Sequence, residues 1–225
     1  MFFHWSYLIL IPGMILVFWA QSRVKGTYDK YSRVASSMGM TGAEVAETIL
    51  NRMGVRNVKV EPVAGALTDH YDPSAKAVRL SEVVYGSNSL AAAAVAAHEC
   101  GHVLQDVQGY KPMNIRAALV PVANLGSNLG PLLIVVGLFL GAMGGFFINI
   151  GIALFVAVIL FHIVTLPVEF DASSRALKLI NEYGILQGEE NKAARKVLNA
   201  AAFTYVATAL YAVLQLIQYF LLSRR

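Results

Sequence analysis

His98-Glu99-Cys100-Gly101-His102 closes an alanine-rich run, and its spacing decides how the rest of the chain is read. On a helix, residues four apart lie one above the other on the same face. Both imidazoles can therefore reach one tetrahedral Zn²⁺, while Glu99, about one helical step round, can hold a water beside the metal. The chemistry needs all three. Zinc takes two neutral nitrogens and leaves a position open, and the carboxylate accepts the proton of the water. Such a short pattern also recurs by chance in unrelated proteins, so the flanking sequence has to carry the reading. Cys100 falls two positions from His98 and so points away from that face; we read it as a small packing residue. As the single cysteine it excludes an internal disulfide.

Working outward, Ser87, Asn88 and Ser89 offer N-caps for a helix that runs through the alanines to about Val107. Its apolar part, residues 90–97, is too short to cross a bilayer, and Gln105, Asp106 and Gln108 follow soon after the histidines. The motif is therefore expected at or outside a membrane surface. Upstream, Thr41-Gly42-Ala43-Glu44 fits a capping box, followed by Val45, Ile49 and Met53 at helical spacing and Gly54 as a stop. Val58, Val60 and Val63 alternate as in a short strand. Residues 67–71 and 77–80, around Asp72-Pro73-Ser74, predict a β-hairpin.

The composition points to a membrane protein. Hydrophobic residues make up 56% and charged residues 14%, against roughly 25% charged in soluble domains. The net charge of +4 is scattered, without the concentrated basic stripe that nucleic-acid binding requires. Residues 2–20 form an apolar run with Trp5, Tyr7 and Trp19 near its ends, and Pro12-Gly13 is expected to kink or interrupt it. No basic residue precedes this run and no small-x-small site closes it, so we read an anchor rather than a cleaved signal. After Pro121 and a Gly/Asn-rich link at 124–130, about forty residues pass without a charge. That length suits two spans turning near Asn149-Ile150-Gly151, with Gly137 and Gly141 as a G-x-x-x-G packing pair. His162 within the third span is read as a packing or polar-contact residue. Thr165-Leu166-Pro167 is expected to open a polar helix over 168–181. The last apolar run, 200–222, is either a fourth span or a membrane-lying helix.

Of the 18 Lys and Arg residues, eleven lie between positions 23 and 116, five between 175 and 196, and two at the C-terminus. One span followed by a two-span hairpin puts the first two groups on the same side, which the positive-inside rule makes cytoplasmic. Arg224-Arg225 would then face outward if the last run spans. A catalytic zinc takes three protein ligands, and the third must come from the motif's side. His4 and His162 are poorly placed for that. Glu169, just past the third span, is well placed, with Asp171 as its rival.

These blocks together, His98 to His102 with Leu67-Thr68-Asp69-His70-Tyr71-Asp72-Pro73, Val78-Arg79-Leu80-Ser81 and Glu169-Phe170-Asp171-Ala172-Ser173, carry a resemblance. The chain resembles bacterial membrane-bound neutral zinc metallopeptidases of the YugP type over about residues 28–177. More distantly it is similar to the HtpX and CAAX-prenyl protease class, where a glutamate in an E-x-x-A-D setting completes the zinc site. Glu169 and Ala172 match that setting; Ser173 stands where that class has an aspartate, and Asp171 or Asp106 could take that aspartate's place behind a zinc histidine. The resemblance implies a zinc peptidase of the bacterial plasma membrane.

The expected fold is a mainly α membrane protein. It has about four transmembrane helices and a zincin-like α+β catalytic region with a small β-hairpin and the H-E-x-x-H helix. The expected division is an anchor at 1–22, a catalytic region at 23–128, a membrane hairpin at 129–167, a polar helical segment at 168–199 and a final membrane helix at 200–225. The expected function is peptide-bond hydrolysis. His98, His102 and Glu169 hold one Zn²⁺, Glu99 is the general base, and His70, Tyr71 and Arg175 are candidates for stabilising the oxyanion. The partners expected are the lipid bilayer and a polypeptide substrate that pairs with a sheet edge, not nucleic acid. A site-2-type intramembrane protease would need the motif inside a long apolar span. A non-enzymatic zinc scaffold would need a fourth protein ligand, and none stands out.

Overall fold

The structure, a computed structural model, describes residues 4–223. Phe2 and Phe3 of the expected first span, and Arg224-Arg225, lie outside the described residues. The chain is mainly helical with one small mixed sheet. It divides into two compact units: Met1–Gln21, Lys111–Pro167 and Phe203–Arg225 form one, and Ser22–Tyr110 with Val168–Ala202 the other.

Among the described residues, four helical stretches are long and apolar enough to cross a membrane: Trp5–Tyr31, Lys111–Phe139, Gly144–Glu182 and Gly188–Ser223. The first opens with a 3-10 turn and continues as α1 (Leu10–Tyr31). Pro12 lies in the first turn of α1, just after the change from 3-10 to α geometry at Ile9–Leu10, where its missing N–H costs least. Gly13 is buried instead, because a Cβ there would lie 2.8 Å from Leu214 Cδ1.

The expected turn at Asn149-Ile150-Gly151 is corrected. The chain reverses at Leu140–Met143, between α5 (Lys111–Phe139) and α6 (Gly144–Glu182), with Gly141 at φ +56°. Gly141 supplies the left-handed backbone that a side chain disfavours. Gly151 lies within α6 and permits helix contact, since a Cβ there would sit 2.6 Å from the Gly130 carbonyl oxygen. Gly137 meets Gly144 in the same way, so the close helix packing expected at Gly137 is present, whereas a Cβ at Gly141, in the turn, would meet nothing within 4 Å. The expected link at 124–130 is helical too, inside α5 together with Pro121 and Pro131. In the same unit, Ile134, Ile148, Ile152, Phe155 and Val158 form an apolar core with Ala212 and Tyr219. His162 sits edge-on to Phe161, with ring centroids 5.7 Å apart.

Two further corrections concern helix ends. Pro167 does not open a new helix; α6 runs through it without a break for 39 residues. Likewise α7 (Gly188–Ser223) joins the charged stretch at 189–196 to the last apolar run as one helix.

In the second unit, α2 (Gly42–Arg52) starts at the expected capping box, with the Thr41 N–H donating to Glu44 Oε2 (2.8 Å) and the Glu44 N–H to Thr41 Oγ1 (3.3 Å). Strands β1 (Lys59–Val63), β2 (His70–Asp72) and β3 (Ala77–Ser81) form a sheet in the order β1-β3-β2. β1 runs parallel to β3 and β2 antiparallel to it. The hairpin is present but shorter than expected. Leu67 takes φ +58° in the loop before β2, and Asp69 accepts from the Ser81 N–H at 2.8 Å. The Asp72 carboxylate caps the turn by accepting from the Ser74 and Ala75 N–H groups. A short α3 (Glu82–Tyr85) leads to α4 (Leu90–Val107), capped by Ser89 as expected, which accepts from the Ala92 N–H at 3.1 Å. The alanines of α4 are almost wholly buried, so their small side chains let neighbouring elements approach closely.

Candidate metal centre

α4 presents His98 and His102 on one face, one turn apart, with ring centroids 4.8 Å apart. Glu169 comes from α6. Its Oε2 lies 3.2 Å from His98 Nε2 and 3.7 Å from His102 Nε2. All these residues belong to one of the two units. What allows the approach is Gly101. A Cβ there would collide with the Ala172 carbonyl, so the α4 and α6 backbones touch between the two histidines.

The three donor atoms lie within 4.8 Å of one another, and among the described residues no fourth His, Cys or carboxylate joins them. Tetrahedral zinc with bonds of about 2.0–2.1 Å has ligand–ligand edges of about 3.3 Å. The two contacts of Glu169, at 3.2 and 3.7 Å, bracket that edge. Two imidazoles, one carboxylate and an open position are the donor set of a catalytic rather than a structural zinc site. The residues present fit the metal.

Glu169 and His102 are buried, and His98 is half-buried. Burial opposes the charged form of His102, but the Glu169 carboxylate facing its Nε2 at 3.7 Å and the nearby Glu99 carboxylate outweigh it and raise its pKa. Glu99 is 6% exposed and makes no hydrogen bond to any described residue, so its carboxylate is uncommitted. Cys100 faces away, its thiol directed at the Ala46 carbonyl (3.7 Å), and burial pushes its pKa up into an unreactive range.

The other residues singled out from sequence fall around this cluster rather than in it. Tyr71 is buried and donates its hydroxyl to Asp106 Oδ2 at 2.6 Å. Lys76 donates to the same oxygen, at 2.5 Å. Burial alone would raise the Asp106 pKa, yet these two partners hold it below the usual carboxylate value. His70 is exposed on β2, and its Nδ1–H donates to the Thr68 carbonyl (2.7 Å). Arg175 is engaged by Asp171 and Gln108 and lies over the Tyr110 ring, 5.4 Å from its centroid.

Two contacts to the histidines have no counterpart in the sequence reading. Ser173 Oγ lies 3.2 Å from His98 Nδ1, and Gln105 Oε1 lies 3.0 Å from His102 Nδ1. Asp171 reaches His102 through Gln105, whose Nε2 donates to it at 2.8 Å. Helical spacing carries the missed signal: Gln105 is three residues after His102, and Ser173 is four after Glu169.

The chain has a relative among known proteins. The chain is 46% identical over 211 residues to the "Putative membrane protease YugP" of Bacillus subtilis (strain 168), covering 94% of this chain and 93% of that relative. No solved structure matches. Residues 6–224, nearly the whole chain, match one family, and the chain belongs to it: the family described as "Putative neutral zinc metallopeptidase".

Proposed function

We propose that the chain is a membrane-embedded, zinc-dependent endopeptidase in which His98, His102 and Glu169 hold one zinc ion and Glu99 is the general base. The observation that carries this reading is the open three-donor cluster on α4 and α6 beside an uncommitted, nearly buried Glu99 carboxylate. Zinc, when bound, supplies Lewis acidity that polarises a peptide carbonyl and makes water acidic near neutral pH. Glu99 takes a proton from the attacking water and returns it to the leaving amine.

An extended substrate has a place to bind. β2 is an edge strand of the sheet, and its outer side can accept a further strand through main-chain hydrogen bonds. Of the three oxyanion candidates, Tyr71 and Arg175 already direct donors at Asp106 and at Asp171 and Gln108. His70 is the one we retain. Its Nδ1–H is used by Thr68, so its Nε2 can donate only when the ring is protonated. Asp171 supports the ligands through Gln105, while Asp106 anchors Tyr71 and Lys76.

The substrates are polypeptides associated with or delivered to a membrane, as the name of the Bacillus subtilis relative suggests. The division proposed from the sequence (1–22, 23–128, 129–167, 168–199 and 200–225) assigns the chemistry to the second and fourth segments. The same charge distribution supports a cytoplasmic face of the bacterial plasma membrane for the site, since 16 of 18 Lys and Arg residues lie in the two segments that flank the membrane hairpin.

The test uses the full chain purified in detergent with a library of extended fluorogenic peptides. Zinc-loaded protein is expected to cleave internal bonds, to lose that activity on chelation and to regain it with zinc. Cleavage that persists after complete metal removal would contradict the zinc mechanism. Zinc-loaded protein that cleaves nothing in the library would contradict the endopeptidase reading.

A further inference from the structure

Gln105 is fully buried, and every polar atom of its side chain has a partner. Its Nε2 donates to the Val168 carbonyl and to Asp171 Oδ2, both at 2.8 Å. Those are the two hydrogens an amide nitrogen has. Turning the amide over would press Oε1 against a carbonyl oxygen and a carboxylate, so the orientation is set by charge. Asp171 is itself fixed by Arg175. Gln105 Oε1 is therefore the atom that faces His102 Nδ1, at 3.0 Å.

An amide oxygen only accepts, so the hydrogen of that contact belongs to His102 Nδ1. In the neutral ring the lone pair is then on Nε2, the nitrogen directed at Glu169. His98 is treated differently. Its Nδ1 partner, the Ser173 hydroxyl, can donate or accept and imposes no tautomer. We infer that Gln105 is a positioning residue that locks His102 in its Nδ1–H tautomer, and that the chain Arg175–Asp171–Gln105 presets His102 Nε2 as a metal donor. The consequence for zinc rests on the proposed metal site, whereas the tautomer is a property of the metal-free protein.

The two are measured separately. Metal-free protein labelled with ¹⁵N-histidine is studied by NMR in detergent at a pH where the ring is neutral, with the His102 signals identified by their loss in His102→Gln. The expected spectrum has a protonated Nδ1 and a bare Nε2; a protonated Nε2 at His102 overturns the inference outright. Gln105→Met keeps the length but removes the acceptor. It is expected to release the tautomer to a mixture and to weaken zinc binding by about 10–100-fold, the usual effect of losing such an outer-shell partner. Unchanged zinc affinity and an unchanged His102 spectrum in Gln105→Met would also overturn it.

A charge-conserving exchange covers the case in which Gln105→Met fails to fold. In Gln105→Glu with Asp171→Asn, the new carboxylate can accept from both His102 Nδ1 and the Asn amide, while the Val168 carbonyl loses its donor. The Nδ1–H tautomer is expected to persist there, and its loss would contradict the inference. If wild-type protein showed the Nδ1–H tautomer yet bound no zinc, the metal-site reading would fail while the tautomer lock stood.

Discussion

Replacing Glu99 by glutamine is expected to lower kcat/KM for peptide hydrolysis by about 10²–10⁴-fold, the range for losing a general base, while zinc content stays at the wild-type level. Glutamine has the shape of glutamate but cannot take a proton. Because Glu99 makes no hydrogen bond to any described residue, the substitution leaves no protein partner unpaired. The measurement pairs fluorogenic-peptide kinetics with metal analysis of the same preparation. Parallel loss of zinc and activity would make Glu99 a structural part of the site. Undiminished activity would remove it from the mechanism. A scaffold that uses the motif only for shape would be indifferent to the change.

The second large effect is expected from Gly101→Ala, a substitution of one methyl group. A Cβ at 101 would strike the Ala172 carbonyl oxygen, with the Ala172 carbonyl carbon at 3.0 Å and Cα at 3.2 Å. These are backbone atoms, so no rotamer relieves the contact, and α4 and α6 must move apart. Glu169 lies three residues before Ala172 on α6, and its donor oxygen would recede from both histidines. Zinc sites tolerate about 0.2 Å in bond length, so zinc affinity is expected to fall by on the order of tenfold or more. Overpacking of this kind also costs about 1–3 kcal/mol of stability. Zinc titration and thermal denaturation of the detergent-solubilised variant read the two effects. Gly26→Ala is the control, because a Cβ at 26 meets nothing within 4 Å. Equal zinc affinity in Gly101→Ala and wild type would show that the close approach at Gly101 does not build the site.

The helix of the motif was legible in the sequence because its signals are local. Ser89 caps it, the alanine run fills it, and the i,i+4 histidines share a face. Glu169 was legible by a different route, as the first carboxylate after the long uncharged stretch that reads as two spans. The hairpin's turn was not legible. Asn149-Ile150-Gly151 read as the turn and Gly141 as a packing residue, and only the three-dimensional contacts show that Gly151 faces Gly130 while Gly141 adopts φ +56°. Pro121 and Pro167 misled for a related reason. In water an interior proline breaks a helix, but in long apolar helices the neighbours can satisfy the freed backbone groups.

The support of the histidines was hidden more deeply. The sequence offers Asp171 and Asp106 as carboxylates near the motif, and chemistry favours a carboxylate behind a zinc histidine. The fold interposes Gln105 between Asp171 and His102 and assigns Asp106 to Tyr71 and Lys76. Which of several nearby carboxylates meets an imidazole depends on helix rotation of a few tens of degrees. Spacing alone does not fix that.

The proposal that His98, His102 and Glu169 together form one zinc site is tested most directly by metal analysis of purified wild-type protein beside Glu169→Ala. A three-ligand site predicts about one zinc per chain in the wild type and its loss in the variant, since two histidines on one helix hold zinc weakly without a third ligand. Full zinc occupancy in Glu169→Ala would contradict it.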